Sequence, residues 1–254
     1  MVLAIDIGNT HTVVGCFDED RILFIERVST NLTATDLEYA AVIRMALHIH
    51  GVTSDSIEGA IISSVVPTVT NTVRRAIEKY AQVKVTVVGP GVKTGLNIHI
   101  DNPAQLGSDL AVDAVAGINN YPVPQIIIDM GTATTFSVID KNKNYIGTLI
   151  TTGMAISAEA LTSRTSQLPR IAFERPSTVV GKNTVDSMRN GLMYSNAAAI
   201  DGIVERIEEE LGESCTVIAT GGMSAAVIPL CKRRIITDEE LLLKGLMIIY
   251  KKNK

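Results

Sequence analysis

Short apolar runs rich in β-branched residues recur along this 254-residue chain, at 3–7, 12–17, 59–63, 84–88, 125–129, 135–139 and 216–219. Runs of that length bounded by turn residues predict strands, several of them buried on both faces. Between them, apolar positions follow a helical period over 36–50, 69–82, 158–163, 183–211 and 238–250. Strands alternating with helices predict an α/β fold. Thr35-Asp36-Leu37-Glu38 has the form of a helix start, and Gly51 and Gly212 stand where helices stop.

Two of the strand runs lead into similar turns. Leu3-Ala4-Ile5-Asp6-Ile7-Gly8 lies over Ile126-Ile127-Ile128-Asp129-Met130-Gly131 at a constant offset, which also places Thr12 over Thr135. The offset is close to half the chain, so the pattern predicts two related halves. The Ala-rich helical stretch before Asn119-Asn120-Tyr121-Pro122 places their boundary within 114–125, giving domains 1–117 and 118–254. No low-complexity linker separates them.

Composition narrows the function. With 46% hydrophobic and 20% charged residues the chain is globular, and a net charge of −4 argues against a broad nucleic-acid surface. Met1-Val2-Leu3-Ala4-Ile5 lacks a basic leader and no apolar run nears the ~18 residues of a membrane span. The expectation is a cytoplasmic protein with neither nucleic acid nor membrane as partner. Cys16, Cys215 and Cys231 are scattered and odd in number, so they read as reduced, partly buried residues without chemistry. His48 and His50, two apart on a helix, point to different faces and make a poor metal pair. Lys232-Arg233-Arg234 reads as solvated surface and Lys251-Lys252-Asn253-Lys254 as a polar tail.

Each duplicated turn ends a buried strand in Asp, with Gly two residues on and hydroxyl or amide side chains beyond it. Gly allows a tight turn and close backbone approach, so N–H groups with Thr or Asn side chains can face phosphate oxygens. An ionised Asp only accepts hydrogen bonds, so it would hold a hydrated cation rather than phosphate. A polar β-hairpin turn is the plainer alternative. Ile218-Ala219-Thr220-Gly221-Gly222-Met223 could bring backbone against a flat nucleotide.

These elements, in this order, resemble the acetate and sugar kinase/Hsp70/actin superfamily. Within it, the chain resembles the type III pantothenate kinases through DIGNT, GVKTGLNIHIDNPAQLGSDLAVDAVAG, DMGTATTFSVID, EALTSRTSQLP, GKNTVDSMRNGL, ATGG and LLLKGL. The resemblance implies two duplicated ribonuclease-H-like (actin-like) domains with a nucleotide cleft between them. It implies a homodimeric kinase that uses ATP with Mg²⁺, and K⁺ or NH₄⁺ as monovalent cation, to phosphorylate pantothenate at the entry to coenzyme A synthesis. Asp6, Ile7, Gly8, Asn9, Thr10, His11, Thr12 and Val13 would form the first ATP phosphate loop, with Asp6 reaching Mg²⁺ through water. Thr132 would lie at the second loop, Asp129 beside the monovalent cation, and Gly221 and Gly222 at the adenosine. Asp109 matches the family's catalytic base, and a carboxylate within reach of an alcohol suits that task. Read without the family, Asp109 is a helix N-cap before an apolar run. Ile100, Gly107, Ser108, Leu110 and Thr184 complete the acceptor side, with Thr184 reaching it from the partner subunit; its plainer reading is also a helix cap.

The departures from the family pattern fall on that acceptor side. Leu110 stands where the G-x-D-R pattern has Arg, Ile100 where a Tyr is usual, and Gly147-Thr148 and Thr152-Gly153 where G-G and P-G pairs are usual. Leucine cannot replace a guanidinium. Lys93 or Lys182 could supply the missing charge. Otherwise the acceptor has changed, for instance to pantetheine, or the protein is a degenerate nucleotide-binding regulator.

Overall fold

A computed structural model describes all 254 residues. In chain order the elements are β1 (Val2–Ile7), β2 (His11–Asp18), β3 (Arg21–Ser29), α1 (Asp36–Ile49), β4 (Gly59–Ser64), α2 (Pro67–Ala81), β5 (Val85–Val87), β6 (Asn97–Ile98) and α3 (Ser108–Asn120). There follow β7 (Gln125–Met130), β8 (Ala133–Ile139), β9 (Asn144–Thr152), α4 (Met154–Arg164), α5 (Thr184–Leu211), β10 (Thr216–Thr220), α6 (Ser224–Val227), β11 (Ile236–Thr237) and α7 (Leu241–Asn253). They form two compact units. The first comprises Met1–Leu96, Asp101–Ala116 and Leu241–Lys254, the second Asn97–Ile100 and Gly117–Glu240.

The first unit is built on a five-stranded sheet of order β3-β2-β1-β4-β5, antiparallel from β3 to β1 and parallel from β1 to β5. Strand alternation sends Leu3, Ile5 and Ile7 into a cluster with Ile43, Leu47, Val69, Val73 and Ile77 of α1 and α2. Val2 and Ala4 face the other way, onto Val112 and Val115 of α3 and Leu243, Leu246 and Ile249 of α7. The central strand is therefore apolar throughout because both of its faces are covered. α7 lies within the continuous segment 118–254, yet it belongs to the first unit, because its apolar stripe finds its partners there. At roughly 1.5–3 kcal/mol per fully buried aliphatic side chain, that stripe accounts for the docking.

Residues 251–254 are not a loose tail. Lys251 and Lys252 continue α7, Lys252 Nζ donates to Thr94 O at 3.0 Å, and Asn253 exchanges two hydrogen bonds with the Lys93 backbone, each 3.0 Å. The helix start read at Thr35 is a full capping box: Thr35 N–H donates to Glu38 Oε2 at 2.7 Å while Thr35 Oγ1 accepts from Glu38 N–H. α1 and α5 stop before Gly51 and Gly212, each with a positive φ of 70°.

The second unit repeats the first sheet. β9-β8-β7-β10-β11 has the same order and strand directions, and β6 adds one edge strand beside β9. The constant offset does not survive the turn. Ile7 pairs with Thr12, whereas Met130 pairs with Thr134, because the second hairpin turn is one residue shorter. Thr134 is thus the counterpart of Thr12, and both are buried; Thr135 takes the next position. Some readings needed correcting. β3, β6, β9 and β11 lack predicted runs: β3 is an edge strand with alternating exposure, β9 is largely exposed, and β6 and β11 are two residues long. α7 starts at Leu241 rather than Asp238, whose buried side chain instead accepts from Glu240 N–H (3.1 Å) and Tyr121 O–H (2.7 Å).

Candidate active site

In the first unit the chain leaves β1 at Asp6-Ile7 and reverses through Gly8-Asn9-Thr10-His11. Gly8 N–H donates to His11 O at 2.9 Å, leaving Asn9, Thr10 and His11 exposed at the tip and Val13 half-buried. The end of β3 braces this turn. Thr30 Oγ1 donates to Gly8 O at 2.7 Å and lies 3.0 Å from Thr12 Oγ1, while Thr30 N–H donates to Thr10 O at 2.9 Å. The plain hairpin reading and the phosphate-loop reading describe the same object: a hairpin turn held rigid from below with its polar groups outward.

Asp6 pairs across β1–β4 with Ser63, and α3 starts against the end of β4. Gly107 O accepts the first helical bond, from Ala111 N–H at 3.1 Å, so Gly107 is the cap residue. Asp109 is the second residue inside α3 and not its N-cap. Its Oδ1 accepts from Leu110 N–H at 2.8 Å. Desolvation raises the Asp109 pKa above the usual carboxylate range, the Leu110 and Asp109 backbone N–H groups opposing that shift without cancelling it. Leu110 is 9% exposed. Ser108, expected at the acceptor, turns its hydroxyl into β4 instead: it donates to Ser64 O (2.9 Å), accepts from Ser64 N–H (3.1 Å) and lies 3.2 Å from Ser63 Oγ. Thr30, Ser63, Ser64 and Thr70 escaped the sequence reading. The pair Ser63-Ser64, two hydroxyls closing an apolar strand ahead of Val-Val-Pro, was the available signal.

In the second unit glycines take the place of hydroxyls. Gly221 follows β10 with φ +88°, and a Cβ there would meet Asp129 Oδ1, with Met130 N at 2.6 Å and Met130 C at 2.7 Å. A Cβ on Gly153, where β9 passes into α4, would meet Thr132 O, with Gly131 O at 2.5 Å. Only glycine lets these segments lie against the Asp129–Thr132 turn. Ser224 Oγ donates to Gly221 O at 2.7 Å and fixes the far side. Gly131, Thr132 and Gly222 are exposed, and Asp129 is half-buried. Structure thus gathers Asp129, Thr132, Gly221 and Gly222 in one unit, and Asp6 to Val13 with Gly107 to Leu110 in the other.

The comparisons with known proteins concern the chain as a whole. The family model described as type III pantothenate kinase matches residues 2–206. The chain belongs to that family. A type III pantothenate kinase from Bacillus cytotoxicus is 45% identical over 253 residues, covering 100% of this chain and 97% of the relative. Among solved structures, component A of (R)-2-hydroxyglutaryl-CoA dehydratase from Acidaminococcus fermentans has a TM-score of 0.59 at 14% identity, covering 100% of this chain and 99% of that one. The activator of 2-hydroxyisocaproyl-CoA dehydratase from Clostridium difficile, solved with bound ADPNP, has a TM-score of 0.58 at 15% identity, covering 98% and 93%. These two share the fold: two ribonuclease-H-like, actin-like units. As a type III pantothenate kinase the chain is a phosphotransferase that phosphorylates pantothenate with ATP in coenzyme A synthesis.

Other expected residues of this pantothenate kinase are less concentrated. Ile100 follows the edge strand β6 in the second unit, and exposed Lys93 lies in the first. Thr184 is exposed at the first position of α5, whose cap is Asn183, accepting from Asp186 N–H at 2.9 Å; Lys182 is exposed beside it. Thr184 is therefore not the cap itself. His50 stacks on Phe24 at 4.3 Å and pairs with Glu26 at 2.8 Å, so the histidines form no metal pair. Lys232 and Arg233 are tied through their N–H groups to Asp201, and Arg233 pairs with Glu208, so that run is neutralised surface. No helix is long and apolar enough to cross a membrane.

Proposed function

We propose that Asp109 is the general base of pantothenate phosphorylation in this chain, and that the Gly8–His11 turn of the same unit presents backbone amides to phosphate, as the Gly131–Thr132 turn does in its own unit. The carrying observation is that Ser108, next to Asp109 at the head of α3, is bonded to Ser63 and Ser64 at the end of β4, where Ser63 stands opposite Asp6. Oδ1 is held by Leu110 N–H, and the carboxyl is desolvated enough to be a stronger base than an exposed one. It takes the proton of the acceptor hydroxyl as that oxygen attacks the γ-phosphorus, while backbone amides of the Gly8–His11 turn orient the phosphates.

No three His, Cys, Asp or Glu side chains converge, so a divalent ion would keep water and phosphate oxygens among its ligands. Mg²⁺ bound with ATP would offset the charge of the phosphates. Asp6 fits a water-mediated contact to it. Asp129, cradled by Gly221, fits the monovalent cation, K⁺ or NH₄⁺.

A homodimer is supported by the second unit's surface. Leu149, Ile150, Ile156, Leu161, Val179, Val180 and Val185 are 37–77% exposed, apolar side chains that a partner subunit would cover. Thr184 adjoins this surface in sequence, consistent with its serving a partner's site. The three cysteines are free, which suits the cytoplasm.

Turnover measured with ATP, pantothenate, Mg²⁺ and K⁺ tests the assignment. Asp109→Asn should lower kcat by about 10²–10⁴-fold, the usual range for a lost general base. Wild-type turnover in a folded Asp109→Asn protein would remove Asp109 from the chemistry. Turnover with pantetheine but not pantothenate would instead assign a changed acceptor.

A further inference from the structure

The hydroxyl of Ser108 has one proton and two acceptor sites. Its proton goes to Ser64 O at 2.9 Å, and one acceptor site is taken by Ser64 N–H at 3.1 Å. With that proton committed, the 3.2 Å contact to Ser63 Oγ has Ser63 as donor. Nothing of the Ser108 hydroxyl remains for a substrate. Ser63 is fully buried and sits opposite Asp6 on the neighbouring strand. Ser64 is held in turn: its Oγ accepts from Val66 N–H at 3.1 Å and from the Thr70 hydroxyl at 2.7 Å, which reaches it from the first turn of α2.

We propose that Ser108 is a positioning residue for the kinase reaction, one that locks the head of α3 to the end of β4 and so sets where Asp109 stands relative to the first phosphate turn. This rests on the reading of Asp109 as the base. The lock runs from the Thr70 hydroxyl of α2 to the Ser64 side chain, and from the Ser64 main chain to the Ser108 hydroxyl of α3, which also holds the Ser63 hydroxyl. Ser108 and Asp109 are adjacent residues of one helical turn, so any slide of that turn carries the carboxylate with it. Without the Ser108 oxygen, the Ser64 N–H and C=O and the Ser63 hydroxyl lose their partner together, and the helix head loses its tie to the sheet.

Steady-state kinetics of Ser108→Ala, Ser108→Thr, Thr70→Val and Asp109→Asn, with melting curves, test the proposal. Ser108→Ala should lower kcat at least about tenfold, since an ångström of misplacement costs on the order of 10²-fold, while KM for ATP stays within about twofold. Ser108→Thr, which keeps the hydroxyl, should restore most of the turnover. Thr70→Val, two steps removed, should lower kcat by a smaller factor and leave both KM values alone; it carries the test if Ser108→Ala does not fold, and an unchanged kcat there would then overturn the proposal. An inactive Asp109→Asn beside a Ser108→Ala enzyme of wild-type kcat overturns the positioning role alone. A Ser108→Ala effect confined to KM for pantothenate also overturns it, because that is the signature of direct substrate contact. An active Asp109→Asn overturns both readings together.

Discussion

Replacing Gly221 by alanine is a sharp test of the glycine cradle. The residue has φ +88°, where an L side chain costs roughly 1–2 kcal/mol. Its new Cβ would stand 2.6 Å from Met130 N and 2.7 Å from Met130 C, and would also strike the Asp129 carboxylate. The carboxylate can swing away. The Met130 backbone cannot, because it ends β7 at the centre of a six-stranded sheet, paired to Thr134 of β8. To reach an ordinary contact of 3.4 Å from 2.6 Å, the Gly221 segment must retreat by about 0.8 Å. Overpacking of that kind costs about 1–3 kcal/mol, so the sum is a destabilisation of about 2–5 kcal/mol.

The retreat also moves Gly222, assigned to the adenosine, and turns Asp129, assigned to the cation. KM for ATP should therefore rise at least about tenfold, KM for pantothenate should change little, and a higher K⁺ concentration should be needed for half-maximal rate. Denaturant melts and initial-rate kinetics measure these separately. Gly191→Ala is the matching reference: that glycine lies within α5 with open space around it, so alanine should stabilise by about 0.5–1 kcal/mol. A Gly221→Ala enzyme with wild-type stability and wild-type KM for ATP would refute the argument that this position is sterically committed to glycine.

Three further outcomes are expected. Asp109→Asn should be no less stable than wild type at neutral pH: burial raises the carboxyl's folded pKa, so its favourable contribution is complete below the unfolded pKa and is lost as pH rises through the folded one, and paired melts across acid to neutral pH should converge on the acid side. Leu110→Arg should lower KM for pantothenate with KM for ATP unchanged, at a stability cost of about 1–3 kcal/mol because Leu110 is 9% exposed; an unchanged or higher KM would assign the acceptor's polar groups to other side chains. Ile150→Lys, at a position 66% exposed, should convert a dimer into a 27.2 kDa monomer in light scattering, and a mass that stays at twice that value would move the interface elsewhere.

Much of the fold was legible because its central strands are buried on both faces and so carry unbroken apolar runs. β1, β4, β7 and β10 are of this kind, and all were read correctly. The edge strand β3 was not legible: it buries only Phe24 fully, so exposure rather than β propensity shapes its composition. The two turns were visible as a repeated Asp-x-Gly, but their register was not, since one residue fewer in the second turn leaves no mark on the strand before it. Asp109 was visible through its motif. The direction of the Ser108 side chain was not, because it depends on β4, whose Ser64 lies 44 residues earlier in the chain. The same distance in sequence hid the attachment of α7 to the first unit.

Overlaying the two sheets by their own pairing shows where a shared frame has been put to different uses. Asp6 opposite Ser63 corresponds to Asp129 opposite Thr220, so the next position on each second strand is Ser64 in one unit and Gly221 in the other. His11 pairs with Ser29 and Ala133 with Thr152, so Thr30 corresponds to Gly153. At both positions the first unit has a side-chain hydroxyl and the second has none. In the first, the Thr30 hydroxyl reaches Thr12, and the Ser64 hydroxyl accepts from Val66 N–H and from Thr70 of α2. In the second, the Thr134 hydroxyl, counterpart of that of Thr12, is buried with no hydrogen-bond partner, because Gly153 has no side-chain hydroxyl to offer it. Leaving a buried hydroxyl unsatisfied costs about 1–3 kcal/mol, and packing alone does not recover it. What the glycine supplies is backbone proximity: with no Cβ at 153 or 221, the segments bearing them lie directly on the carbonyls and carboxylate of the Asp129–Thr132 turn. One half of the duplication thus uses these hydroxyls to brace its first turn and the junction of β4 with α2, and the other forgoes them to bring backbone close around Asp129.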